Sequence, residues 1–334
     1  MRRAGIQRRP ARGRPAPHLR PRWARSAAAR LAAIVAGALL LAVVAAACGG
    51  AGSSSGGGRL DVVAVETFLA DIAQNVAGNR FTVKPLLPPG ADPHAYDPTP
   101  RDVAGVASAD LLIVNGGGLE GTLLTTLRNA GGGVRIVDAS AGLRTRTPGP
   151  TEPRLAAGQV DPHFWLDPTL VKTYVANIRD AFIKADPAGK AVYTANAAAY
   201  DAKMTTLDAW IKAQVAQIPP QSRDLVTNHA SAGYFAHRYG FRIVGTVIPG
   251  FSTDETPTAQ ELAALVAAIR RSGAKAVFVE KDENPQLAQQ IAAEAHIKAV
   301  TGILDHSLSA AGGPASTYID MMKYDTGLIV GALK

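Results

Sequence analysis

Apolar residues recur along this chain in two rhythms, and the two alternate. Short continuous runs at residues 61–65, 81–87, 111–115 and 134–138 read as buried strands. Residues 67–77 and 119–129 instead space their apolar side chains three and four apart, as one face of a helix does. Thr99-Pro100-Arg101-Asp102 predicts another helix start, with a capping hydroxyl, a proline in the first turn and an acid at the third position. The alternation resumes later, with strands expected at 225–227, 242–247, 276–280 and 299–304. Helices fit 231–239, 258–272, 285–296 and 316–333, and Thr258 with Glu261 has the capping-box spacing. Strands and helices alternating at this length predict parallel sheets covered by helices on both faces.

One stretch between the halves has only the helical rhythm. From Tyr193, the positions Ala197, Tyr200, Met204, Leu207 and Ile211 trace a single face, and Pro219-Pro220 stops the helix after Ile218. Some thirty residues at 1.5 Å each make a rod of roughly 45 Å. That is longer than one lobe needs. The predicted architecture is therefore α/β, with two lobes, each a mostly parallel sheet flanked by helices, joined by one long backbone helix. The expected divisions are an N-terminal lobe at 60–186, the connecting helix at 187–218 and a C-terminal lobe at 219–334. No short-period repeat is visible, which excludes a solenoid.

Charge changes the picture only at the N-terminus. The chain of 334 residues carries a formal net charge of +8, which by itself suggests nucleic acid or anionic membrane as partner. Residues 1–47 hold ten arginines and no acid, leaving 25 basic against 27 acidic side chains and a net charge of −2 from residue 48 onward. A nucleic-acid partner is not expected. The leader is basic through Arg30 and apolar from 31 to 47, which predicts a signal peptide at 1–47. Ala45-Ala46-Ala47-Cys48 resembles a bacterial lipoprotein box, and Cys48 is then the lipid-bearing first residue. Cys48 is the only cysteine, so no internal disulfide and no thiolate metal ligand is available. The Gly, Ala and Ser of 49–58 predict a flexible tether, with residues 48–59 holding a folded body near the outer face of the membrane.

The chemistry concentrates in two related motifs, Asp92-Pro93-His94 and Asp161-Pro162-His163-Phe164-Trp165-Leu166-Asp167-Pro168. In each, prolines restrict the backbone beside an imidazole, and a carboxylate stands ready to accept the ring N–H that does not face a ligand. His229 directly follows one predicted strand, and Asp305-His306 follow another. Ligands in open parallel sheets collect beyond the carboxyl ends of strands, so His94, His163, His229 and the Asp305-His306 pair are candidates for one metal site between the lobes. Glu280 ends a strand facing the same region and is a candidate partner of a ligand. His237 is expected to face solvent, His296 to sit at a helix end, and Tyr234 and Phe235 to pack.

These motifs, with His229 through Tyr234-Phe235 to Arg238-Tyr239-Gly240, resemble the metal-binding solute receptors of bacterial ABC uptake transporters, over nearly all of residues 60–334. The resemblance implies a Zn²⁺ or Mn²⁺ ion held in a cleft between two α/β lobes and delivered to a membrane permease with its ATPase, by a monomeric receptor that is not an enzyme. It also implies His94, His163 and His229 as the first three ligands. Manganese-binding members commonly have a carboxylate where His229 stands, so zinc is preferred here and a manganese receptor is the alternative. The chain departs from many zinc-type members at residues 139–160, where it has no histidine-rich loop. For the fourth ligand the family usually places an aspartate directly before Ser-Leu. Here His306 precedes Ser307-Leu308 and Asp305 lies one place earlier. Alignment points to His306. Charge favours Asp305, because four imidazoles leave the dication whole, and Asp305 is preferred on that ground. A zinc hydrolase is the competing class, but no His-Glu-x-x-His or serine elbow is present.

Overall fold

A computed structural model describes residues 60–129, 133–281 and 283–334, so the leader, Cys48 and the tether lie outside the described residues. The first half forms β1 (Val62–Ala64), α1 (Thr67–Ala77), β2 (Val83–Pro85), α2 (Pro100–Ala107), β3 (Leu111–Val114), α3 (Gly121–Asn129) and β4 (Arg135–Asp138). These strands make a parallel sheet in the order β2-β1-β3-β4. The expected capping box opens α2, where the Thr99 hydroxyl accepts the Asp102 N–H and the Asp102 carboxylate accepts the Thr99 N–H. Asp167 caps α4 (Pro168–Ala185), with proline in the first turn.

The long helix α5 (Lys190–Val215) has 26 residues, about 39 Å at 1.5 Å each. It is shorter than predicted because Pro187–Gly189 forms a separate 3₁₀ turn at its start. Its predicted stripe is correct: Ala197, Tyr200, Met204, Leu207 and Ile211 are all buried.

The second half follows with β5 (Asp224–Thr227), α6 (Gly233–Tyr239), β6 (Arg242–Thr246), α7 (Ala259–Ser272), β7 (Ala276–Glu280), α8 (Gln286–Ala295), β8 (Lys298–Ile303) and α9 (Tyr318–Leu333). Its sheet has the order β6-β5-β7-β8 and is again parallel. The fold is α/β with two such sheets, each flanked by helices. Each sheet reverses its winding beside its first strand, and a doubly wound sheet opens its ligand crevice at such a point.

Two details differ from the expectation. The run at 134–138 reads as a buried strand, yet β4 is mostly exposed because it forms the sheet edge, and Ile136 is left facing solvent. The last helix packs on β7 and β8 of its own sheet and also reaches beyond it. α9 packs on α1 and α5, and the Tyr318 N–H donates to Asp71 at 3.0 Å. One hydrophobic cluster accordingly runs through both halves, joining Phe68 and Trp165 to Phe235 and Met322. Smaller clusters under β3 and β7 serve one sheet each.

Candidate metal centre

Each candidate ligand is delivered by a loop that its own sequence stiffens. In the loop after β2, the Asp92 carboxylate accepts the backbone N–H of His94 at 2.8 Å. The same device recurs at Asp161, whose Oδ1 lies 3.2 Å from the His163 N–H and 2.9 Å from His163 Nδ1. The two Asp-Pro-His motifs are thus one local structure used twice. Gly116 and Gly117 let the loop after β3 press against the second motif. Both have positive φ, a Cβ on Gly117 would lie 3.2 Å from Pro162 Cα, and one on Gly116 would collide with Asp138.

His229 follows β5, and the Thr227 hydroxyl fixes the turn by donating to the His229 carbonyl at 2.6 Å. Near the end of β8, a bulge at Gly302 (φ +93°) adds one residue ahead of the Asp305-His306 turn. In extended chain, one residue decides which of two adjacent side chains faces the cleft.

Ligand atoms of His94, His163, His229 and His306 all lie within 4.8 Å of one another. The six separations between their ring centroids run only from 4.9 to 5.6 Å. Four points that are nearly equidistant in all six pairs are the corners of a near-regular tetrahedron. The Nε2 atoms of His163 and His229 face each other at 3.3 Å.

Asp305, preferred on charge, is not among these four. Its carbonyl accepts the Trp165 indole N–H at 2.6 Å, and its carboxylate lies behind His306, 3.3 Å from Nδ1. The charge argument is met in a different way. His163 Nδ1 is backed by Asp161, His229 Nδ1 by Glu280 at 3.1 Å, and His306 Nδ1 by Asp305. Three carboxylates thus stand beside the imidazoles, placed to fix their tautomers and to offset positive charge among the rings.

Burial, then the charges of His306 and His229, hold the His94 imidazole well below its usual pKa. Burial and its histidine neighbours do the same to His163. Both rings are neutral at pH 7, as ligands must be. Burial also pushes the Asp161 carboxyl up to about 7, against the opposing pull of Arg146.

His94 alone of the four is not fully buried. It lines a cavity of about 430 Å³ at the mouth of the cleft, with Gly117, Gly118, Phe251, Asp254 and Glu255. The mouth is bridged there, since the Thr253 hydroxyl donates to the second oxygen of Asp92. Residues 139–160 form a loop, as expected, but it does more than cover the surface. Its Arg146 pairs with Glu152 and with Asp161, and lies over the Tyr234 ring. The Thr151 hydroxyl donates to the Ile243 carbonyl of the other sheet. The bonds of Arg146 to Asp161, Trp165 to Asp305 and Thr253 to Asp92 carry no signal in the sequence, because they span 15 to 161 residues. Tyr234 packs on Phe164 and also donates to the Asp161 carbonyl at 3.0 Å. His237 is exposed, and His296 ends α8 in the left-handed conformation.

Residues 62–332 match the family described as zinc-uptake complex component A, periplasmic (ZnuA). The chain belongs to that family. The manganese-binding lipoprotein MntA of Halalkalibacterium halodurans is 33% identical over 82% of this chain and 88% of its own. The metal ABC transporter substrate-binding lipoprotein FimA of Streptococcus parasanguinis is 31% identical over 82% of this chain and 89% of its own. The periplasmic zinc-binding protein TroA of Treponema pallidum has the same fold, with a TM-score of 0.75 at 27% identity over 83% of this chain and 99% of its own. ZnuA-family proteins are extracytoplasmic metal-binding receptors of ABC transporters and not enzymes, which sets the hydrolase alternative aside.

Proposed function

We propose that this receptor selects zinc, held by His94, His163, His229 and His306, and passes it to a membrane permease driven by its ATPase. The observation that carries the reading is the near-tetrahedral set of four imidazoles. The centre of a regular tetrahedron with an edge of about 5.3 Å lies about 3.2 Å from each corner. A Zn–N bond of about 2.0–2.1 Å plus the roughly 1.1 Å from an imidazole nitrogen to its ring centre gives the same distance. Zinc suits a tetrahedral all-nitrogen site, whereas manganese suits octahedral oxygen. A site with four protein ligands has no open position for reactive water, in keeping with transport.

The manganese named for the 33% identical relative makes competition the decisive test. In dialysis of residues 49–334 against equal zinc and manganese, the protein is expected to retain one zinc and little manganese. Equal retention of manganese overturns the reading.

In this proposal residues 60–186 and 219–334 act as the two jaws, 187–218 is the spine, and the monomer is the working unit. Cys48, with the lipid implied by the relatives' names, anchors the receptor to the outer face of the membrane. Among the described residues no helix is long and apolar enough to cross a membrane. Cys48→Ser is therefore expected to move the protein from the membrane fraction to the soluble fraction with zinc affinity unchanged. Continued sedimentation with membranes points to residues 31–47 as the anchor instead.

A further inference from the structure

The N-terminal half holds a second buried polar group, apart from the four histidines. Glu66 follows β1 and occupies the N-cap position of α1, yet its side chain caps nothing. It turns toward Glu120, and the two residues are 1% and 0% exposed. Among the described residues, no N–H, hydroxyl or cation of another residue bonds either Glu66 oxygen, and the one outside charge acting on it is Glu120. Glu120 is placed differently. One of its oxygens accepts the Asn115 N–H and the other the Gly116 N–H at 3.2 Å. Two carboxyl groups in hydrogen-bond contact with no donor between them share a proton. Glu120, with both oxygens engaged as acceptors, is the ionised partner, and Glu66 carries the proton.

The pair is tied to the metal loop through one residue. The Asn115 side chain donates to the Pro162 carbonyl at 3.0 Å, and its own oxygen accepts the Tyr174 hydroxyl. Pro162 precedes His163. We propose that Glu66 and Glu120 share one proton at neutral pH and act as a positioning unit: Glu66 donates to Glu120, Glu120 clamps the Asn115-Gly116 backbone, and Asn115 holds the Pro162-His163 segment.

Burial and the Glu120 charge raise the pKa of Glu66 well above its ordinary value, and burial pushes Glu120 up to about 7. The other titratable group facing the pair is Tyr174 on α4, which is itself acted on by Asp138 at the end of β4 and by Tyr234 on α6. A raised acid contributes stability that is fully present below its unfolded pKa and is lost as pH rises toward its folded value. Metal-free wild type is therefore expected to lose about 5 °C in Tm between pH 5.5 and 8 relative to Glu66→Gln, whose amide donates to Glu120 without needing a proton.

Three measurements test this. The infrared difference spectrum of metal-free wild type minus metal-free Glu66→Gln at pH 7 is expected to contain one carboxylic-acid carbonyl band. The Tm–pH curves of the two proteins are expected to diverge as stated. Glu120→Gln, which leaves one of two backbone donors without an acceptor, and Asn115→Ala, which frees Pro162, are each expected to weaken zinc about tenfold, while Glu66→Gln keeps wild-type affinity. Parallel Tm–pH curves, absence of the band, or equal affinity loss in all three variants overturns the proposal. The zinc readout rests on the proposed function and the other two do not, so failure of one is distinguishable from failure of the other. Should Glu120→Gln not fold, Asn115→Ala and the infrared band decide.

Discussion

Replacing His306 by alanine is expected to weaken zinc binding by roughly two to three orders of magnitude. A structural zinc site is worth about 10–16 kcal/mol, so each of four ligands carries about 2.5–4 kcal/mol, and 1.4 kcal/mol is tenfold. Asp305→Ala is expected to cost only about 10- to 100-fold, the usual effect of removing a carboxylate behind a ligand. The order follows from geometry: the His306 ligand atom lies with those of His94, His163 and His229, whereas the Asp305 carboxylate stands behind His306. Asp305→Asn separates the two parts of the smaller effect. It keeps a hydrogen-bond acceptor for Nδ1 and removes the charge, so any remaining loss measures how far the outer carboxylate offsets the ion. Isothermal titration with a competing chelator reads all three variants. A larger loss for Asp305→Ala than for His306→Ala would restore the charge argument that first favoured Asp305.

The place of His306 beside the three histidines, with the Asp305 carboxylate next to it, shows where the sequence stopped being readable. The helical stripe from Ala197 to Ile211 and the capping boxes at Thr99 and Thr258 were legible because their signals are local, three or four residues apart. The three histidines were legible because Asp-Pro-His repeats a local turn, and because strand ends collect ligands. The fourth position was not. Asp305 and His306 are neighbours, and their facing depends on a bulge at Gly302 in β8 paired with β7, which no local pattern records. The charge argument compared ligands one at a time, whereas the charge is spread over Asp161, Glu280 and Asp305 behind the ring of imidazoles. Edge position is equally non-local: the residues of β4 have a buried strand's composition and lie exposed because no further strand pairs with them. The cross-lobe contacts of Thr253 with Asp92 and of Thr151 with Ile243 join residues 161 and 92 apart, beyond any periodicity argument.

Zinc retention is expected to persist below pH 6.5 and to fall by roughly two decades per pH unit only once pH passes the lowered pKa values of His94 and His163. A free imidazole takes up its proton near pH 6.5, and a protonated ring cannot ligate. In this site burial and the neighbouring histidines lower the pKa of His94 and His163 well below that value, so both remain ready to bind where an exposed histidine is already half protonated. Once pH passes their folded pKa values, each ring costs one decade of affinity per pH unit, hence two for the pair. The metal-free protein responds in the same direction for a different reason. The pKa is depressed on folding, so the contribution to stability is present above pH 6.5 and is lost as pH falls through the folded values, at about 1.4 kcal/mol per pH unit for each ring. Zinc affinity and metal-free Tm measured from pH 7.5 to 4.5 check both statements. An affinity that already falls about tenfold between pH 7 and 6 means that the two histidines titrate as exposed groups, and the buried, preformed tetrahedron is then not the state that captures the ion.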